Sequence, residues 1–418
     1  MRFKQVTCPH CGLLCDDLTV DADGASLKLI GKSNPACAKA YDDASFTSAR
    51  LPAAKIAGKK ASLDAAIRKS AKLLQASSQP LISGLIADVQ ACRNAVLLTE
   101  KIGGVIDHAS GAGMRPNNTV MQRHGKVKTT LSEVRNRADL VIILGSQIFN
   151  QFPRLADRVL FPRTSLGGSK TTNKEIIVID SANDSKGNIP RRKGISYLRL
   201  EADSLEEIIQ RFQLAVTDLT NSADKHDQAD DINNLVSKIL AAQYSTIIWN
   251  SGLLNPASAE QSIQSITLAI KSLMKDVRCV GLPLGGSKGE ITANQVITWQ
   301  MGVPLPVSFA SEVPEHQPLL YCGQSMLDNN EADVLLWVST YSPEHVPPKT
   351  KARVILIGHP KMKVPGHVDV YIPVGIPGID HTGLACRTDS VATLPLRKLR
   401  DINLPAASDV LKQITELV

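Results

Sequence analysis

Short, wholly apolar runs recur along the chain, separated by stretches in which apolar residues return every three or four positions. The first pattern predicts buried strands and the second amphipathic helices. Residues 138–145 (ADLVIILG) and 175–180 (EIIVID) are the strongest strand signals. Further strands are predicted at 80–84, 105–107, 246–249, 277–284, 333–338, 353–358 and 368–372. Ser62 caps a predicted helix reaching about residue 75, with Leu63, Ile67, Ala71 and Leu74 on one face. A second helix runs from about Asp88 to the glycines at 103 and 104. Ser204 and Glu207 fit a capping box before a helix to about Val216, and Pro256 suits the first turn of another. Residues 221–231 read as a polar loop. Short apolar strands alternating with helices imply parallel sheets covered on both faces. Ligands of such sheets bind beyond the carboxyl ends of the strands. Those ends are rich in small polar residues: GSQ at 145–147, NSG at 250–252, GGS at 285–287, STYSP at 339–343 and GHP at 358–360.

The first 52 residues break this rhythm. Apolar runs at 18–20 and 27–30 flank Asp23 and Gly24, which signals a hairpin. The Leu51–Pro52 step and the lysine-rich stretch 55–60 mark a boundary. At 418 residues the chain is too long for one core, and 43% hydrophobic residues suffice for more than one. The net charge of +7 is mild and scattered, and 4% aromatics leave little for stacking bases, which argues against nucleic-acid binding. The positive excess fits an anionic cofactor or acidic partner subunits. The N-terminus has no apolar leader and no run is long enough to span a bilayer, so a cytoplasmic protein without a membrane partner is expected. Eight cysteines in that setting read as ligands or buried thiols rather than disulfides.

The sharpest chemistry is CPHCGLLC at 8–15, which places Cys8, Cys11 and Cys15 around a tight turn, with Cys37 available after the hairpin. Soft thiolates suit an iron–sulfur cluster or zinc. Zinc ribbons pair two knuckles, and Cys37 is unpaired, so the pattern favours iron–sulfur, with zinc and an empty vestigial site as alternatives. His10 reads as a surface residue inside the loop. Cys92, Cys279, Cys322 and Cys386 are isolated and read as small buried hydrophobes. Arg154 and Arg158 follow the strand at 140–144; they are either loop residues or partners of an anion at the strand end. The run 285–289 (GGSKG) could cradle phosphates but lacks P-loop order. The polar run 378–383 (GIDHTG), with Arg387 and Asp389, reads as a hydrogen-bonded turn rather than a ligand loop.

Together CPHCGLLCDD (8–17), EVRNRADLVIILGS (133–146), FPRLADR (152–158), NQVITWQMGVP (294–304) and IPVGIPGIDHTGLACRTDSV (372–391) resemble the B subunit of formylmethanofuran dehydrogenase, a relative of the molybdenum and tungsten pterin oxidoreductases. The resemblance implies an α/β fold of the molybdopterin-oxidoreductase type: a small iron–sulfur head and two Rossmann-like parallel-sheet domains. The head would be residues 1–52, the first α/β domain 53–137 with 289–418, and an inserted dinucleotide-binding-like domain 138–288. It also implies that Cys8, Cys11, Cys15 and Cys37 hold a [4Fe–4S] cluster. That cluster would feed a metal bound by two pterin dinucleotides. Gly145, Ser146, Arg154, Gly285 and Gly286 would line the dinucleotide pocket.

The departures point elsewhere. Redox members carry a metal-binding cysteine or selenocysteine followed by histidine, in a segment like D-x-x-S-x-x-C-H-G-P. Here the segment is DHASGAGMRP, 107–116, with Gly113 and Met114 at those two positions. Glycine has no side chain to ligate a metal. An arginine expected in an R-G-H segment is replaced near 285–287. This pattern resembles the B subunit of the formyltransferase/hydrolase complex of one-carbon-oxidising, methylotrophic bacteria. That complex moves a formyl group from a tetrahydromethanopterin carrier to a methanofuran-like carrier and hydrolyses it to formate. The resemblance implies a non-catalytic structural subunit with a remnant pocket and no molybdopterin or tungstopterin guanine dinucleotide. Its partners would be hydrolase, formyltransferase and a further structural subunit. Two alternatives stay open: a working formylmethanofuran dehydrogenase chain that depends on pterin and iron–sulfur, and a pterin-free iron–sulfur electron-transfer subunit.

Overall fold

The computed structural model describes residues 1–31, 34–46, 51–164, 166, 174–221, 231–286 and 288–418. They separate into two compact units, Met1–Ala112 with Gly286–Val418, and Gly113–Gly285. Among the described residues no helix is long and apolar enough to cross a membrane.

The first unit is built on a sheet whose central strands are parallel. In spatial order they are Val105–Ile106, Pro80–Ile86, Val334–Ser339, Arg353–Gly358 and Val368–Pro373. Antiparallel Val307–Ser308 closes one edge, and Lys55–Ile56 with Lys59–Lys60 the other. In chain order the five central strands run 2-1-3-4-5, a doubly wound scheme that reverses between Pro80–Ile86 and Val334–Ser339. All seven residues of Pro80–Ile86 are buried, so the strand has no alternation to show. Ser62 caps the helix Leu63–Gln75 as its position predicts, and Asp88, where the second helix was expected to start, caps Val89–Lys101.

The N-terminal head belongs to this unit. It is a three-stranded antiparallel sheet, Arg2–Val6, Leu18–Asp23 and Ser26–Ile30, followed by the helix Pro35–Ala44. The hairpin turns at Gly24, whose positive φ of 54° suits glycine. The head is tied down from the far end of the chain. Thr388 N–H donates to the Gly12 carbonyl at 2.7 Å, and Arg400 Nη1 donates to the Ala25 carbonyl at 2.7 Å. Arg400 is held in turn by Asp380 at 2.6 Å, with both side chains 1% exposed.

The second unit has five parallel strands in the order Ile195–Leu200, Glu175–Ser181, Leu140–Leu144, Ser245–Trp249, Cys279–Pro283. Numbered along the chain this is 3-2-1-4-5, and the order reverses between Leu140–Leu144 and Ser245–Trp249. One face packs Leu140, Ile142 and Leu144 against Ile208, Phe212, Ile263 and Ile266 of covering helices. The unit starts earlier than residue 138. Asn117 accepts a hydrogen bond from Trp249 Nε1 at 3.2 Å and donates to Ser251 Oγ at 2.9 Å, and Val120 joins the same core. These contacts recruit most of the helix Gly111–His124, which glycine and proline hide from the periodic pattern. The strand Ile195–Leu200 was not expected either: it is an edge strand, mostly half-buried, and carries a weak apolar signal. The helix after Pro256 begins at Ala259. At the expected capping box Ser204 Oγ accepts from Glu207 N–H at 3.3 Å, while the Glu207 carboxylate accepts from the Asp203 amide rather than that of Ser204. The polar loop at 221–231 lies largely outside the described residues, as does Ser287.

Candidate functional site

The head gathers the four predicted cysteines. Cys8 N–H donates to the Cys15 carbonyl at 2.8 Å, and Leu14 N–H to the Cys11 carbonyl at 3.2 Å, which folds residues 8–15 into a closed loop. Leu14 takes the left-handed region, with φ of 46°. Asn34 caps the helix Pro35–Ala44 and sets Cys37 in its first turn, with Tyr41 one turn later on the same face. None of the eight cysteines forms a disulfide; Cys8, Cys15 and Cys37 are buried and Cys11 is half-buried. The sulfurs sense one another. Burial, then Cys15, then Cys37 push the Cys8 thiol up to about 12. Burial, then Cys8, Cys15 and Cys37 raise Cys11 well above the ordinary thiol value. Thiols held protonated this firmly ionise only when a bound cation compensates them; burial foremost raises the isolated Cys92 in the same way, so what sets these four apart is their mutual influence.

Beside the loop, His10 packs edge-on against the Tyr41 ring at 4.8 Å. His10 Nε2 is buried without a hydrogen bond, whereas the Tyr41 hydroxyl is hydrogen-bonded to the Cys8 sulfur. His10 is therefore half-buried rather than a surface residue, because the tyrosine covers its ring. Burial, with the Lys288 charge second, pushes it down to about 4. Among the described residues, no group of three or more His, Cys, Asp or Glu side chains is placed to hold a metal ion. A [4Fe–4S] cube spreads four thiolates over four irons, so its ligands stand farther apart than those of one ion.

The remnant-pocket residues meet different fates. Gly113 lies in the helix Gly111–His124, and a Cβ built there has no neighbour within 4 Å. A side chain at this position would have room, so packing does not demand glycine. Met114 is half-buried. Gly111, by contrast, is required: a Cβ there would strike the Asp107 carboxylate. That carboxylate is buried and accepts from the amides of His108 at 2.8 Å and Gly323 at 2.9 Å. Burial raises its pKa all the same.

At the reversal point of the second unit, Gly145 and Ser146 follow the strand Leu140–Leu144. Gly145 has φ of 90°, and its Cβ would press Leu253 at 3.0 Å. Ser146 is closed off by its own chain. Its amide donates to Asp180 Oδ1 at 2.6 Å and its hydroxyl to Asp180 Oδ2, while Gly187 N–H donates to Ser146 Oγ at 2.7 Å. A Cβ on Gly187 would run into the Ser146 carbonyl. Gln147 donates to the Ser185 carbonyl at 2.8 Å, and Asn188 N–H to Asn150 Oδ1 at 2.9 Å. On the other side of the reversal, Asn250 donates to Gln151 and accepts from Gly252 N–H at 2.8 Å. Arg154 is half-buried in the turn before Ala156–Leu160. Gly285 ends the second unit. Gly286, in the first unit, has φ of 60°, and its Cβ would strike Ile291, so close packing explains that glycine without a phosphate.

The polar run near the C-terminus is a turn. Gly378 N–H donates to the His381 carbonyl at 2.8 Å, and Asp380 accepts from Ile376 N–H at 2.7 Å and from Arg400.

No family model matches the chain. It is 26% identical to the B subunit of the tungsten-containing formylmethanofuran dehydrogenase 2 of Methanococcus maripaludis over 414 residues, which is 95% of this chain and 94% of the relative. The chain is a homologue of the formylmethanofuran dehydrogenase B subunit. It is also 26% identical to the Fhc B subunit of the formyltransferase/hydrolase complex of Methylorubrum extorquens, over 78% of this chain and 86% of that one. Among solved structures it is similar to the complex FhcABCD from Methylorubrum extorquens, crystallised with methylofuran, with a TM-score of 0.72, 23% identity, and coverage of 87% of this chain and 98% of that chain. Acetylene hydratase from Pelobacter acetylenicus aligns with a TM-score of 0.59 and 11% identity over 99% of this chain and 70% of that chain, a likeness of fold.

Proposed function

We propose that the chain is a structural, non-redox B subunit of a formyltransferase/hydrolase complex acting in tetrahydromethanopterin-linked one-carbon oxidation. The observation that carries this reading is Gly113. It stands where redox relatives bind their metal through sulfur, in space that would admit a side chain. A position emptied of its ligand without a packing reason fits a lost function better than a rearranged one. The closure of the second unit around Ser146 and Asp180 supports it, because the polar groups that would meet a dinucleotide already satisfy each other. Cys8, Cys11, Cys15 and Cys37 would hold a [4Fe–4S] cluster, with the Tyr41 hydroxyl beside the Cys8 sulfur. When bound, the cluster would supply one-electron chemistry; in this reading it staples the head.

One observation favours the second reading, a working tungsten or molybdenum enzyme: the match to the tungsten-containing relative spans 95% of this chain. Activity separates the two. The complex, purified anaerobically through a tag on this chain, is offered a formylated furan carrier and a viologen dye. The structural reading expects formate release with no dye reduction. Dye reduction that follows this chain through purification would contradict it.

A further inference from the structure

Residues 289–348 contain no lysine or arginine and seven acidic residues, in a chain whose net charge is +7. Among the described residues none of those seven carboxylates is ion-paired. The same stretch exposes large apolar side chains: Trp299 is 56% exposed, Val313 70%, Leu319 74% and Leu320 56%. Single exposed apolar residues are ordinary; four within 22 positions, one of them tryptophan, are not.

Local bonds hold the stretch together. Ser308 and Glu315 exchange backbone hydrogen bonds of 2.9 Å, and Tyr321 Oη donates to Glu315 at 2.7 Å. His316 bonds the Pro306 carbonyl at 2.8 Å, and Leu305 N–H donates to Asn294 at 3.1 Å, on the helix Glu290–Met301 that carries Trp299. The whole hangs on Val307–Ser308, an edge strand of the first unit's sheet. The result is an ordered segment that exposes four large apolar side chains together with Glu312, Asp328 and Glu331, exposed carboxylates without an ion partner among the described residues.

We propose that the surface bearing Trp299, Val313, Leu319 and Leu320 docks a different polypeptide that offers an apolar patch rimmed with lysine or arginine. This rests on the reading of the chain as one subunit of a complex. Aromatic anchors supply most of the hold in such interfaces, and charge complementarity selects the partner and speeds encounter. A basic partner suits the surface because no cation of this segment competes for its carboxylates.

Carbodiimide cross-linking of the intact, tag-purified complex tests it. Glu312, Asp328 and Glu331 are exposed and should join to lysines of a second, different polypeptide. Trp299→Ser with Leu319→Ser should weaken that association about tenfold or more. The exposed pair Glu312→Lys with Glu331→Lys should weaken it in low salt and much less in high salt. Leu214→Ser, an exposed apolar residue of the other unit, should change nothing. Cross-links to a second copy of this chain would overturn the proposal. So would a complex that assembles normally with both double variants, with melting temperatures confirming that they fold. A complex held through another face leaves the structural-subunit reading standing; dye reduction in a complex held through this face does the converse.

Discussion

Two parallel sheets in this chain end in comparable places and differ in how far the polar groups there are spent on each other. In the second unit, the reversal between Leu140–Leu144 and Ser245–Trp249 is largely closed: Ser146 bonds Asp180 and Gly187, and Asn250 bonds Gly252, with Ser181 Oγ as the one buried hydroxyl at these strand ends, among the described residues, that has no hydrogen bond. In the first unit, the reversal between Pro80–Ile86 and Val334–Ser339 leaves buried polar atoms open. Ser339 Oγ, Tyr341 Oη and His345 Nδ1 have no partner there, and neither does His10 Nε2 by the cysteine loop. An unpaired buried polar group costs about 1–3 kcal/mol, so such groups persist where something outside the chain satisfies them. Strand order alone therefore does not make a nucleotide site. What matters is whether the groups at the strand ends are left open or spent on each other.

Substitutions can break each side of this contrast. The largest effect should come from Asp380→Asn, which leaves Arg400 buried without its ion partner; unfolding in urea should show a loss of about 3–5 kcal/mol. The loss should start in the head that Arg400 anchors, with earlier loss of protection at residues 8–15. Ser146→Ala comes next. It strips Asp180 and Gly187 of a partner and should cost about 1–3 kcal/mol, read as faster amide exchange at Gly187 and Asn188.

The third test uses pH. Burial first, then the charges of His10, Lys361 and Arg400, hold His359 down to about 3. Between its unfolded value near 6.5 and about 3, the unfolded chain takes up a proton that the folded one refuses. Stability present above pH 6.5 should therefore fall as the solution is acidified, by about 1.4 kcal/mol per pH unit from this group. His359→Gln should flatten that part of the profile in thermal melts. The smallest effect is expected of Gly113→Cys. Its side chain meets open space in a helix, so stability should hold or rise by up to about 1 kcal/mol in the same melts. A clear destabilisation would show that packing, after all, explains the glycine.

Much of the fold was legible in the sequence, because buried parallel strands announce themselves. Each strong apolar run became a strand, Ser62 capped the helix it was expected to cap, and the second helix began at Asp88 as read. Edge elements were not legible: Ile195–Leu200 buries little, and Gly111–His124 gains its place from Asn117 and Val120 rather than from its own pattern. The cysteines could be read from spacing, whereas the Tyr41 ring over His10 could not, since a loop histidine gives no sign of what covers it. The sealing of Ser146 depends on Asp180, 34 residues away, and on Gly187, so no local motif reveals it. The acidic stretch 289–348 was visible in composition but hidden inside a net positive total.

The contrast between a donor set left open and a redox position left empty is decided by one measurement: iron, acid-labile sulfide, tungsten, molybdenum and pterin in the anaerobically purified complex. The account predicts about four iron and four sulfide for each copy of this chain, lost together in Cys37→Ala, with neither pterin nor tungsten nor molybdenum. Tungsten or molybdenum with pterin, in proportion to this chain, would contradict it.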